Sequence, residues 1–397
     1  MMFKPTRAAG QQQLAAFIPR AARDYAAGRN ADHGPDARRN VSLLSPYIRH
    51  RLVSEEEVVR AVLSRHSPQA AEKFIQEVVW RTYWKGWLEQ RPAVWTHYLA
   101  LRDAPQASGL AKAIATAEAG RAGIEGFDDW AQELVEHGYL HNHARMWFAS
   151  IWIFTLRLPW AAGADFFLRH LVDADPASNI LSWRWVAGLQ TQGKTYLATA
   201  DNISRNTGGR FAPKGLATTA TALSEDTPPP AARPLPDMPV YEPRTPALLL
   251  ITGEDLTPEQ TLPNSAAIRA VHAVGGVTGW PWGKAARAFV SGGADDARDR
   301  AGNFYNCPTS HAETLDADTL IAAAQAARAS IIVTPYAPVG PTADALAAIA
   351  PLLSAAGVPL IQLRREWDSA FWPDATKGFF PFKQTIPARL AEMGMRA

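Results

Sequence analysis

The chain has 397 residues, 47% of them apolar, enough to bury two ordinary cores, so two domains are expected. A formal net charge of +2 neither implies nor excludes a nucleic-acid partner, whose basic patch would have to be local. A single cysteine, Cys307, excludes an intramolecular disulfide and any all-cysteine zinc or iron–sulfur site within one chain. The opening MMFKPTRAAGQQQ lacks the apolar stretch of a secretory signal, and no run of about 18 apolar residues follows, so a soluble cytoplasmic protein is expected.

In chain order, the first half reads as helices. Apolar residues recur at helical spacing over Leu14 to Tyr25, Ser54 to Leu63, Ala70 to Gln90, Phe127 to His137, Asn142 to Leu156 and Ala164 to Leu171. Ser54 followed by Glu57 is a capping box, and Arg91-Pro92 and Leu158-Pro159 are stops. Residues 217 to 246 turn to Thr, Ala and Pro, a composition that favours extended chain and reads as a linker. Beyond it, Ala247 to Thr252, Ser330 to Thr334 and Val358 to Leu363 read as buried parallel strands. Ala266 to Val274, Ala317 to Ala327 and Thr342 to Ala356 read as the helices between them, with Gly275-Gly276 and Gly292-Gly293 as turns. The expected fold is α+β multidomain: an N-terminal all-α domain over residues 1–216, a Pro-rich linker over 217–246, and a C-terminal Rossmann-like α/β domain over 247–397. No glycine-rich phosphate fingerprint follows any strand.

Fourteen tryptophans are present, most of them before residue 186. Most should be core with a satisfied indole N–H. Three segments nevertheless gather polar and aromatic groups. Glu77, Trp80 and Arg81 share one helix face, and Asn142, Arg145 and Met146 repeat that spacing on another. The third segment, LVDADPASNILSWRWVAG, carries Asp173, Asp175, Asn179, Trp183 and Trp185. A purely structural account has Arg145 neutralising Asp173 and the tryptophans in the core. A buried cluster of Asp, Asn and Arg costs several kcal/mol unless each group is paired, and a polar ligand would supply partners.

From about residue 14 to 213 the order of these segments resembles the FAD-binding domain of the DNA photolyase and cryptochrome family. NVSLLSPYI resembles that family's phosphate-binding turn; FIQEVVWRTYWKGWL, GFDDWAQELVEHGYLHNHARMWFAS and LVDADPASNILSWRWVAG resemble its cofactor- and substrate-lining segments. The resemblance implies FAD, with Ser42, Leu44 and Ser45 at the diphosphate ahead of a helix, assisted by Tyr25 and Arg81. It implies Arg145 and Asp173 as an ion pair beside the flavin ring, Asp175 as an acceptor from flavin or ribityl donors, and Asn179 facing N5. Glu77, Trp80, Asn142, Met146 and Trp185 then match the lining of a cavity for a flipped-out pyrimidine dimer, and Trp183 and Trp160 match two links of an electron-carrying tryptophan chain. No metal is implied.

The family normally places an α/β antenna domain first. Here LLLITGEDLTPEQ and GFFPFKQTIPARL resemble the opening and closing of that domain after the helical one, so a circular permutation is the simplest reading. A second antenna chromophore is left unknown. His143 stands where a phosphate-gripping Arg is common, and Val41 and Leu43 stand for Thr and Arg in the turn; Lys194, Arg205 and Arg210 are candidates to compensate. The expected function is a light-dependent photolyase acting on pyrimidine-dimer DNA. The alternatives are a cryptochrome-like blue-light receptor without repair and, third, a flavoprotein with no photochemistry. No membrane partner is expected; the oligomeric state is open, with a monomer as the default.

Overall fold

A computed structural model describes residues 3–103, 109–226, 229–263, 266–277 and 279–395. Thr227 and Pro228 of the expected linker lie outside the described residues.

The first half is helical. The 22-residue helix Pro68–Glu89 starts on Ser67, whose side chain accepts from Ala70 N–H, and Pro68 occupies the first turn, where its missing N–H costs nothing. The helices Phe127–His137, Asn142–Ser150, Trp160–His170 and Pro176–Val186 pack around it. Two expected helices are interrupted. Leu14 to Tyr25 ends at Phe17, because Pro19 cannot continue the hydrogen-bond ladder, and restarts at Arg23. Asn142 to Leu156 loosens into a π-helical turn at Ile151–Thr155.

The second half holds a five-stranded, wholly parallel sheet of β1 (Ala247–Ile251), β2 (Ile268–Val274), β3 (Thr309–Ala312), β4 (Ile331–Pro335) and β5 (Leu360–Leu363), in the order β3-β2-β1-β4-β5. Ala266 to Val274 was expected as a helix and is β2. A short apolar run suits either form, and here its backbone groups complete the ladder beside β1. Gly292-Gly293, expected as a turn, lies inside the 22-residue helix Lys284–Tyr305. The pair serves close approach: a Cβ on Gly292 would stand 2.6 Å from Pro5, and one on Gly293 2.7 Å from Leu256.

One hydrophobic core runs through both halves, and a second covers the other face of the sheet. Buried ion pairs tie the halves together. Arg49 donates to both oxygens of Glu254 at 2.7 and 2.9 Å and to Ala174 C=O at 2.9 Å. Arg51 bridges to Asp368 at 2.6 Å, and Arg365 to Asp255 at 2.7 Å. The Pro-rich segment is strapped along this joint: Ala217 N–H bonds Thr155, Glu225 pairs with Arg184, Arg233 N–H bonds Gln90 C=O, and Arg364 reaches Pro236 C=O. Among the described residues no helix is long and apolar enough to cross a membrane.

Candidate functional site

The site is built on the loop from Asp173 to Asp175, where the Trp160–His170 and Pro176–Val186 helices meet. Asp175 is the N-cap of the second helix, accepting from Ser178 N–H at 2.8 Å and Ser178 Oγ at 2.6 Å. Arg81, from the Pro68–Glu89 helix, donates to the Asp175 carboxylate and to Asp173 C=O. Burial alone would push the Asp175 carboxyl up, but Arg81, then Lys85 and Arg49, outweigh it and hold the group at about 2.

Asp173, 2% exposed, accepts from Arg145 Nη2 at 2.8 Å, and Arg145 also donates to Leu140 C=O at 3.0 Å and lies 5.3 Å over the Tyr139 ring. Burial raises the Asp173 carboxyl, but the Arg145 guanidinium prevails and, with Arg81 and the nearby Ser45 hydroxyl, holds it below the ordinary carboxylate range. Its second oxygen, Oδ1, is buried with no partner at hydrogen-bond geometry. Asn179, 7% exposed, donates from Nδ2 to Ala164 C=O at 2.8 Å, keeping Oδ1 and one N–H for another group.

The phosphate-like turn sits beside this cluster. Ser42 Oγ accepts from Leu44 N–H at 3.3 Å, Leu43 takes a positive φ of 54°, and Ser45 opens the short helix Ser45–Arg49. Leu44 is fully buried and anchors the turn. Tyr25 packs edge-on against Phe17 and Phe74, at 5.8 and 5.1 Å between centroids. Glu77 pairs with Arg29, yet burial dominates and raises its carboxyl above the usual range.

The expected lesion-lining residues are each accounted for. Asn142 is exposed and its Nδ2 touches Met146 Sδ at 3.8 Å. Trp80, half-buried, stacks on Phe379 with centroids 3.5 Å apart and 11° between planes; Trp185 stacks on Tyr196 at 5.7 Å. Trp183 is 2% exposed and packs edge-on to Trp152 at 6.2 Å and Phe167 at 5.1 Å, whereas Trp160 contacts Tyr98 at 6.0 Å. Burial and then Arg29 push the His143 imidazole down, disfavouring its charged form. Arg205 is paired with Asp201 at 2.5 Å, and Arg210 with Asp32 at 3.1 Å; Lys194 is exposed.

Three residues of the site escaped the sequence reading. Arg29 lies four residues after Tyr25, at the end of the same helix, and Phe379 lies in the segment read as closing the second domain, so neither was connected to the Glu77 and Trp80 face. Lys85, four residues after Arg81 and so on the same face, was open to detection; its Nζ is buried without a hydrogen-bond partner.

These residues fit FAD. The unpartnered Asp173 oxygen and the spare Asn179 groups suit the polar edge of a flavin ring, while the Ser42 hydroxyl and Arg81 suit an anionic diphosphate. Among the described residues no group of His, Cys, Asp or Glu could hold a metal ion.

Residues 74–215 match the family model described as the FAD binding domain of DNA photolyase. The chain is 31% identical over 208 residues to a deoxyribodipyrimidine photo-lyase of Streptomyces griseus, covering 49% of this chain and 44% of that protein. It is 32% identical over 194 residues to one from Agrobacterium fabrum, covering 47% and 39%. A solved class III photolyase of Agrobacterium tumefaciens is 28% identical with a TM-score of 0.43, covering 51% of this chain and 43% of that one. The chain thus spans less than half the length of these relatives.

Proposed function

We propose that this chain, whose helical half belongs to the DNA photolyase and cryptochrome family and carries its FAD-binding domain, repairs cyclobutane pyrimidine dimers in DNA under blue light. The observation that carries the reading is the buried Asp173 carboxylate, with one oxygen on Arg145 and the other unpartnered near the N-cap pair of Asp175 and Arg81. When bound, the flavin supplies a photoexcited one-electron donor.

The chain's own residues do the rest. The Asp173 carboxylate keeps a negative charge at the ring edge while Arg145 limits its cost, and Asn179 offers both a donor and an acceptor. Trp80, stacked on Phe379, is the aromatic wall for an extruded base in this reading, with Trp185 and Met146 as further walls. Glu77 lies on the same helix face as Trp80 and holds Arg29 beside it through its carboxylate. Trp183 and Trp160 serve electron re-supply.

Residues 1–216 and 247–397 form the two domains of this reading, joined by the linker 217–246, and the parallel sheet is a Rossmann-like, antenna-type domain moved behind the helical one. The protein acts as a soluble monomer in the cytoplasm. A blue-light receptor of the cryptochrome kind is the second reading. It is favoured by one observation: of the candidate phosphate contacts, burial disfavours the charged form of His143 and Arg210 is held by the buried Asp32. Binding separates the two. A repair enzyme retains a dimer-containing oligonucleotide over its undamaged twin and loses that preference in Trp80→Ala, whereas equal binding of both oligonucleotides by the unaltered protein supports the receptor.

A further inference from the structure

Across the joint between the halves runs a file of aromatic rings that belong to the core the halves share. Tyr98 lies beside Trp160, with centroids 6.0 Å apart. Trp95, one turn earlier on the Ala93–Asp103 helix, stacks on Tyr98 at 5.5 Å and 27°. Trp280, in the segment after β2, follows Trp95 at 5.9 Å. Tyr98 and Trp95 are buried, whereas Trp280 is half-exposed under the Arg102 guanidinium, 5.1 Å from its ring centre. The file therefore leads from the interior of the helical half to solvent through the other half.

The two buried rings differ in their proton chemistry. Trp95 Nε1 donates to the Asp344 carboxylate at 2.7 Å, from the Pro341–Ala355 helix of the second half. An indole that loses one electron becomes about as acidic as a carboxylic acid, so a carboxylate hydrogen-bonded to it shares or takes its proton and lowers the cost of oxidation. Tyr98 has the opposite setting: its hydroxyl is buried with no hydrogen-bond partner. With no base to receive the phenolic proton, oxidised Tyr98 is not a stable stop, and the ring can act only as a bridge.

We propose that Trp95, with Asp344 as its proton acceptor, is a relay station, and Trp280 the surface terminus, of an electron path into Trp160; this rests on the photochemical reading above. Once Trp160 has lost one electron, Trp95 replaces it across Tyr98, and the Nε1 proton of Trp95 passes to Asp344. Trp280 then returns one electron to Trp95, which recovers its proton from Asp344. A thiol in solution reduces the Trp280 radical cation, becoming a thiyl radical and releasing its proton to water.

The test uses the protein as purified and has two arms. Blue-light flashes are followed by transient absorption of indole radicals. Separately, the protein is oxidised in the dark by a pre-formed ruthenium(III) complex and the radical is read by electron paramagnetic resonance, which does not depend on the flavin. In wild type, both arms should yield a deprotonated indole radical that forms more slowly in D2O. Trp95→Phe should lose it, Asp344→Asn should turn it into a protonated cation radical, and Tyr98→Phe should keep it. Trp280→Phe should form the radical but lose its reduction by added thiol. The proposal is overturned if Trp95→Phe gives the wild-type radical, or if Tyr98→Phe is as damaging as Trp95→Phe. Trp183→Phe separates the layers. If it stops flavin photoreduction while Trp95→Phe does not, this path fails and the photochemical reading stands; if it changes nothing, both fall.

Discussion

Replacing Asp173 by Ala removes the carboxylate that neutralises Arg145. The side chain of Asp173 is 1% exposed and that of Arg145 23%, so the cation left behind is largely buried. Breaking a fully buried pair costs roughly 3–5 kcal/mol, and the partial exposure of Arg145, with its retained contacts to Leu140 C=O and the Tyr139 ring, places this case near about 3 kcal/mol. The variant Arg145→Met leaves Asp173 with Arg81 and Ser45 nearby and should cost less. In the double variant neither charge remains, so the two losses should fall short of adding. Urea denaturation followed by tryptophan fluorescence reads the cycle, and bound flavin is counted by absorbance. The pair also predicts a pH signature. A carboxyl held below its ordinary 3.8 contributes stability that is present above that pH and lost as pH falls through the lower folded value, so Asp173→Ala should flatten the acid limb. Additive losses, or flavin content and midpoint equal to wild type in Asp173→Ala, would refute the reasoning.

Glu89, whose oxygens accept from Tyr336 and Val339, is raised by burial to about 7, so the folded chain holds a proton that the unfolded chain releases. Stability should be full below pH 4.5 and fall by roughly 3 kcal/mol as pH rises to 7, and Glu89→Gln should abolish that decline in urea midpoints measured between pH 5 and 8. Gly163→Ala sets a methyl well inside van der Waals distance of Trp183 Cη2, which should cost roughly 1–3 kcal/mol by overpacking and alter near-ultraviolet dichroism; an unchanged spectrum would contradict the packing. Glu254→Ala strands Arg49 at the joint and should cost roughly 3–5 kcal/mol, with faster proteolysis in residues 217–246; unaltered cleavage would mean that the joint does not hold the halves together.

What the sequence disclosed followed from short-range periodicity. Glu77, Trp80 and Arg81 were legible because helical spacing puts them on one face, whereas Asp175 was singled out through the resemblance and its part as the N-cap of Pro176–Val186 came only from the structure. The phosphate-like turn was recognisable from its resemblance, while the positive φ of Leu43 was not, since Leu carries no signal for that conformation. Contacts between residues far apart in sequence left no local trace. Arg49 and Glu254 are separated by 205 positions, and Phe379 meets Trp80 only through the folded joint. Where apolar runs were short or glycine-paired, as in β2 and at Gly292-Gly293, local pattern chose wrongly because neighbours across the sheet and helix decide the outcome.

The most direct test is repair itself. Purified protein with reduced flavin is mixed with an oligonucleotide carrying one cyclobutane thymine dimer, illuminated with blue light, and the restored thymines are counted by chromatography against a dark control. Light-dependent restoration in wild type, with stacking loss of about 1–3 kcal/mol lowering dimer affinity in Trp80→Ala while flavin content holds, is the predicted result. Full flavin occupancy with no thymine restored under light would contradict the repair assignment and leave the receptor reading in its place.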